Sequence, residues 1–228
     1  MNLKLPLLLG CCLFAAITAC AETSASLDEN AAGKKKADVY ITTADRQQSF
    51  NHTTQKLSKT PAFESVITLN SKVKFQEMDG FGAAVTGSTC YNLMQMTPAD
   101  RAKFLTETFS DNDGLGFSYI RISIGCSDFS LSEYTCCDTK GIENFALQTE
   151  EKEYVIPILK DILAINPTIK ILGSPWTCPK WMKVNNLEEK NPFDSWTSGQ
   201  LNPDYYQDYA TYFVKWIEAF RNEGIDIY

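Results

Sequence analysis

Large apolar residues are spread unevenly along this chain, and their spacing changes period several times. An apolar run, "LPLLLGCCLFAAITA", follows Lys4 within residues 1–20, the charged-then-apolar layout of an export signal. Residues 21–61 are rich in Ala, Ser, Thr, Lys and Gln. So few large apolar groups cannot offset the entropy of ordering the chain, which predicts a disordered linker. In 62–77, Val66 to Leu69 and Val73 to Phe75 alternate around Asn70-Ser71, predicting a β-hairpin. "DGFGAAVTG" then reads as a strand whose glycines let neighbouring backbones approach closely.

From there the period alternates between helix and strand. Thr97-Pro98 supplies a helix cap and a first-turn proline, with Phe104, Leu105 and Phe109 on one face. "YIRISIG" follows as a β-branched strand. Thr149, Glu150 and Glu151 open a second helix, striped by Val155, Ile156, Leu159, Ile162 and Leu163, and Pro157 predicts a kink in it. "IKIL" is a buried strand. Asn202-Pro203-Asp204 starts a third helix that keeps its apolar period to a capping Gly224, and "IDIY" begins another strand. This βα order at crossover spacing predicts parallel units over residues 78–228. An open doubly wound sheet and a closed (β/α)8 barrel both use it. No GxGxxG or phosphate loop follows a strand, which disfavours the nucleotide-binding open sheet. Long polar, aromatic-rich loops follow the second and third strands, where a barrel carries its functional groups.

Charge and rare residues narrow the chemistry. The 228 residues carry 21 Lys+Arg against 28 Asp+Glu, a net charge of −7. With no basic stripe, the chain repels phosphate backbones, so no nucleic acid is expected as a partner. His52 is the single histidine and lies in a polar segment, which argues against a Ser-His-Asp device or a histidine-based metal site. Chemistry here is expected to run on carboxylates, with no metal and no cofactor. Cys90, Cys126, Cys136, Cys137 and Cys178 lie outside the leader; they are odd in number and lack zinc-site spacing. They allow one disulfide or stand as buried free thiols. Ile17-Thr18-Ala19-Cys20 resembles a bacterial lipobox, which implies export, lipidation of Cys20 and anchoring to a membrane, periplasmic or at the cell surface. The alternative is an ordinary signal peptide cleaved near Ala21.

Three positions stand out at strand ends. Asp128, in "CSDFS", follows the second strand, where a carboxylate can accept hydrogen bonds from two sugar hydroxyls; a solvated loop aspartate or a loop cap is the alternative, and the residues by themselves favour it. Arg121 lies among isoleucines within that strand, and burial there calls for a carboxylate partner, structural or functional. In "GSPWTCPKWM", Pro175 and Pro179 stiffen a loop that holds Trp176. Its indole offers an apolar face to a pyranose and an N–H to a hydroxyl; a core aromatic, like Trp181, is the alternative.

"GFGAAVTG", "YIRISIGCSDFS" followed by "YTCCDT", "ILGSPWTCPKWMK" and "YATYFVKWIEAF" resemble consecutive stretches of the glucosylceramidases of glycoside hydrolase family 30, from about Phe75 to Tyr228. The resemblance implies a (β/α)8 barrel with a small side β-domain that takes in the hairpin of residues 62–77. It also implies retaining β-glycosidase chemistry on a glycan or glycolipid. Asp128, with its neighbour Phe129, and Trp176 match the positions that hold the glycone sugar, and Arg121 matches the arginine that supports the catalytic carboxylates. The family's acid/base and nucleophile glutamates fall beyond residue 228, so no catalytic residue is assigned within this chain. Retaining hydrolysis needs two carboxyls about 5–5.5 Å apart, and this segment alone is expected to be inactive. The leading expectation is a glucosylceramidase-type hydrolase acting on glucosylceramide or a related β-glucoside. A polysaccharide-cleaving relative, a β-1,6-glucanase or xylanase, and a non-catalytic glycan-binding surface lipoprotein are the alternatives.

Overall fold

The computed structural model describes residues 36–56, 70 and 72–228. It forms two compact units, Met1–Phe75 and Gln76–Tyr228. The lipobox and the strand expected at Val66 to Leu69 lie outside the described residues.

In the first unit, β1 (Lys36–Ile41) and β2 (Asn51–Lys56) pair antiparallel, from Lys36 opposite Lys56 to Ile41 opposite Asn51. This corrects the reading of residues 21–61 as linker throughout. What orders the segment is cross-strand pairing rather than a core. Tyr40 stacks on Phe50 and His52 at centroid distances of 4.9 and 4.7 Å. His52 Nε2 lies 2.9 Å from the Asp38 carboxylate, and Thr54 donates to the same oxygen at 3.1 Å. His52 first, then Thr54, hold the Asp38 carboxyl below its ordinary value. Val73 to Phe75, the second arm of the hairpin expected around Asn70, form no strand and leave Val73 and Phe75 exposed. The Asn70 side chain accepts from the Lys72 N–H at 3.1 Å.

The second unit is built on a three-stranded parallel sheet in the order β3 (Gly82–Ala84), β4 (Tyr119–Ile124), β5 (Lys170–Pro175). Chain order equals spatial order, as in the first strands of a barrel. Gly82 faces Tyr119 across the ladder, and a Cβ there would fall 1.3 Å from the Tyr119 carbonyl oxygen. That close approach is the reason for its glycine. Two helices join β3 to β4: α1 (Gly87–Gln95) and α2 (Pro98–Phe109). The second was legible from Thr97-Pro98, and Thr97 Oγ1 accepts from the Asp100 N–H. The first was not, because Gly87, Ser88 and Thr89 are weak helix formers; it rests on a Thr86 cap and on buried Cys90 and Leu93.

Between β4 and β5, a π-helical turn at Glu151–Val155 leads into α3 (Ile156–Ile165). Here the Ile156 N–H reaches back to the Glu151 carbonyl. Pro157 has no N–H and would clash with a carbonyl four residues back. The wider turn before it relieves that conflict, so the expected kink takes the form of a π turn. After β5 comes a short antiparallel pair, β6 (Lys183–Val184) with β7 (Gln200–Leu201). Asn202 then caps the 3₁₀ turn Pro203–Tyr205 that opens α4 (Tyr206–Asn222). Gly224 closes the helix with φ +79°. Residues 225–228 extend beside β5, where the Tyr228 N–H donates to the Ile171 carbonyl at 2.9 Å.

One face of the sheet carries the core. Ile120, Ile122 and Ile171 bury against Leu105 and Phe109 of α2, Leu159 and Ile162 of α3, and Trp216 and Phe220 of α4. Gly173, opposite Ile122, makes room for the Trp216 ring. The other face presents Tyr119, Arg121 and Ser123 from β4, with Leu172 from β5 40% exposed. Among the described residues no helix is long and apolar enough to cross a membrane.

Candidate active site

The parallel register sets Ile124, the last residue of β4, opposite Pro175, the last of β5. Both strands therefore release their loops at one end of the sheet, and the candidate residues Asp128, Phe129 and Trp176 all lie in those loops. Asp128 is exposed, Phe129 is 62% exposed, and Trp176 is 40% exposed. Arg121 is half-buried on the inward face of β4, and its Nη2 donates to the Ser174 carbonyl at 3.2 Å. Among the described residues Arg121 joins no ion pair; the carboxylates that the resemblance gives it are expected beyond residue 228. Its contact ties β4 to the residue two before Trp176.

The loop that carries Asp128 is fixed by groups that composition alone did not flag. Ser127 Oγ accepts from the Phe129 N–H at 3.2 Å, and Ser130 Oγ from the Ser127 N–H at 3.0 Å. The Phe129 carbonyl accepts from the Ser88 N–H, the first turn of α1, at 3.0 Å. Glu150, buried, accepts from the Leu131 N–H at 2.9 Å. Next to it, buried Glu151 accepts from the Tyr134 hydroxyl at 2.9 Å and the Gln148 N–H at 3.0 Å. Burial pushes the Glu151 carboxyl above its ordinary value, with the Tyr134 bond opposing. The sequence showed these acids only as favourable charges at a helix start. Their second role, pinning a loop distant in sequence, follows from tertiary packing.

Trp181 and Trp176 part company. Trp181 donates its Nε1–H to the Cys137 carbonyl at 2.8 Å and meets Tyr205 edge-on at 5.1 Å, a structural role. Trp176 instead lines a cleft of about 320 Å³ together with Trp196, Ser198, Gln200 and Tyr209. Trp196 escaped the sequence reading because "PFDSWTSG" has no period and looks like solvated loop. All five cysteines of this unit are buried free thiols; burial raises Cys90 to about 12. None is poised as a nucleophile. Among the described residues no cluster of His, Cys, Asp and Glu side chains could hold a metal ion.

The family comparison points the same way. The model of the glycosyl hydrolase family 30 TIM-barrel domain matches residues 78–228. Putative glucosylceramidase 4 of Caenorhabditis elegans is 33% identical over 201 residues, which is 85% of this chain and 37% of that protein. The lysosomal acid glucosylceramidase of Mus musculus is 33% identical over 165 residues, covering 70% of this chain and 31% of its own length. Among solved structures, the endo-beta1,6-glucanase BT3312 is 69% identical with a TM-score of 0.74, over 84% of this chain and 41% of that one. The chain thus spans about a third of the curated relatives it matches. A parallel sheet in barrel order and this match agree: the chain belongs to glycosyl hydrolase family 30 and forms part of its TIM-barrel domain.

Proposed function

We propose that the whole protein is a retaining endo-hydrolase of β-1,6-linked glucan, and that this chain supplies its glycone-binding rim. The observation that carries the substrate choice is the 69% identity, over 84% of the chain, to a solved endo-beta1,6-glucanase. The Asp128 carboxylate accepts hydroxyls of the glucosyl unit. The exposed part of the Trp176 indole packs against its C–H face, and Arg121 steadies the strand beneath. The two catalytic carboxyls are those the family resemblance places beyond residue 228. One protonates the glycosidic oxygen as the other attacks the anomeric carbon, and water then releases the sugar from the enzyme. Full-length protein incubated with β-1,6-glucan should liberate new reducing ends.

Glucosylceramide is the second reading, favoured by the 33% identity to the worm and mouse glucosylceramidases. Release of ceramide with an untouched glucan would replace the first reading by the second. The lipobox supports a surface location suited to a polymer: Cys20→Ala should move the protein out of the membrane fraction or block its processing. An unchanged distribution would refute the anchor.

A further inference from the structure

The excursion between β6 and β7 is more ordered than its polar composition suggests. Val184 bridges to Pro192, and the Phe193 N–H donates to the Lys183 carbonyl at 3.1 Å. Asn186 Oδ1 accepts from the N–H groups of Glu188 and Glu189 at 3.0 and 2.8 Å. Gly199 turns the chain at φ +88°, and a Cβ there would stand 2.8 Å from the Phe193 ring. The centre of the arrangement is Lys183, which is 5% exposed. Its Nζ donates to the carbonyls of Ser195, Trp196 and Ser198 at 2.7, 2.9 and 3.2 Å.

An ammonium has three N–H donors, so these three carbonyls use them all. Lys183 has none left for a ligand, and among the described residues it pairs with no carboxylate. A buried cation spent wholly on carbonyls of residues 195–198 fixes the backbone on which Trp196 stands. Lys180 completes the support: its Nζ lies 4.9 Å from the Trp196 ring centroid and 2.5 Å from the Asp194 carboxylate. Lys180 thus adds a cation–π contact to the support of the indole.

We infer that the cleft between Trp176 and Trp196 is a second glucosyl subsite, for the sugar adjoining the one held at Asp128, with Lys183 as the positioning residue that sets its Trp196 wall. This rests on the glucan reading above. The occupant's chemistry follows from the lining. Trp196 offers an apolar face and Trp176 borders the cleft on the side of the first sugar, while Thr177, Ser198 and Gln200 offer hydroxyl and amide groups, and aliphatic side chains are few. A pyranose has one C–H face and a rim of hydroxyls and satisfies both. An acyl chain would leave those polar groups without partners. The volume, about 320 Å³, lies at the small end of ligand clefts, in keeping with one sugar ring.

The test uses the full-length protein with two substrates: a β-1,6-linked glucotetraose, and β-glucosyl fluoride, which has no adjoining sugar. Trp196→Ala and Lys183→Met should each lower the ratio of kcat/KM for tetraose over fluoride about ten-fold, mostly through KM, the size of one lost aromatic contact. Trp196→Phe should recover part of the ratio. Thermal melts confirm that each variant is folded. An unchanged ratio in folded Trp196→Ala would overturn the inference while leaving the glucan reading intact. A wild-type protein that cleaves the fluoride and ignores the tetraose would overturn both.

Discussion

Removing the Glu150 carboxylate should unfasten the loop that carries Asp128. Glu150 is 6% exposed and receives the Leu131 N–H at 2.9 Å. It is packed so closely on Gly87 that a Cβ there would lie 1.5 Å from its Oε1. A hydrogen bond to a charged acceptor is worth about 1.5–3 kcal/mol net, and Glu150→Ala strands a donor as well. A loss of about 2–3 kcal/mol corresponds to a fall in Tm of a few degrees in the full-length protein, because the shift per kcal/mol shrinks as the cooperative unit grows. Leu131 lies three residues beyond Asp128, and the remaining anchors are the Ser88–Phe129 bond and the serine turns. Displacing the carboxylate by about 1 Å costs up to about a hundred-fold in rate, so kcat/KM on a β-glucoside should fall about ten- to hundred-fold. Glu150→Gln keeps an acceptor and should show a much smaller loss in both. The assay is calorimetry with steady-state hydrolysis by the full-length enzyme. A lowered Tm with full kcat/KM would show that Glu150 supports the fold without placing Asp128. No change in either would refute the reasoning outright.

Gly173→Ala places a Cβ 2.7 Å from the fully buried Trp216 ring; overpacking should cost about 1–3 kcal/mol, and an unmoved denaturant midpoint would refute that packing. Because burial raises Glu151 above 4.5, its proton is bound more tightly in the fold. The stability it contributes is complete below pH 4.5 and is lost as pH climbs through the raised value. Glu151→Gln should therefore flatten the fall of Tm with rising pH, and an identical slope in both proteins would contradict this. Asp128→Ala should lower kcat/KM about 10²–10³-fold through lost charged hydrogen bonds; a loss below about three-fold would remove Asp128 from the site. The 228-residue chain alone should give no hydrolysis above a no-enzyme control and no cooperative melt. Activity or a sharp transition would show it to be a domain in its own right.

Much of the fold was legible because the second unit is locally consistent. Thr97-Pro98, the isoleucines of β4 and Gly224 each signal the element they occupy, and the βα alternation gives the parallel order without tertiary information. The failures have physical causes. The hairpin at residues 36–56 has no core, so composition reads it as linker, yet pairing and stacked rings hold it. α1 depends on its cap and buried face more than on propensity. Among the candidate site residues, Asp128 and Trp176 stood out in the sequence because strand-end position and stiffening prolines are local signals. Trp196 and Lys183 were not, since a lysine at sequence position 183 reads as a surface charge until the chain folds three carbonyls around it.

The most direct test of the account is a crystal structure of the full-length protein with a β-1,6-linked glucose disaccharide bound. A glucosyl ring is expected at the β4–β5 rim, with hydroxyl oxygens within about 3.2 Å of the Asp128 carboxylate and ring C–H groups against Trp176. A disaccharide seated elsewhere, with Asp128 and Trp176 both out of contact, would contradict it.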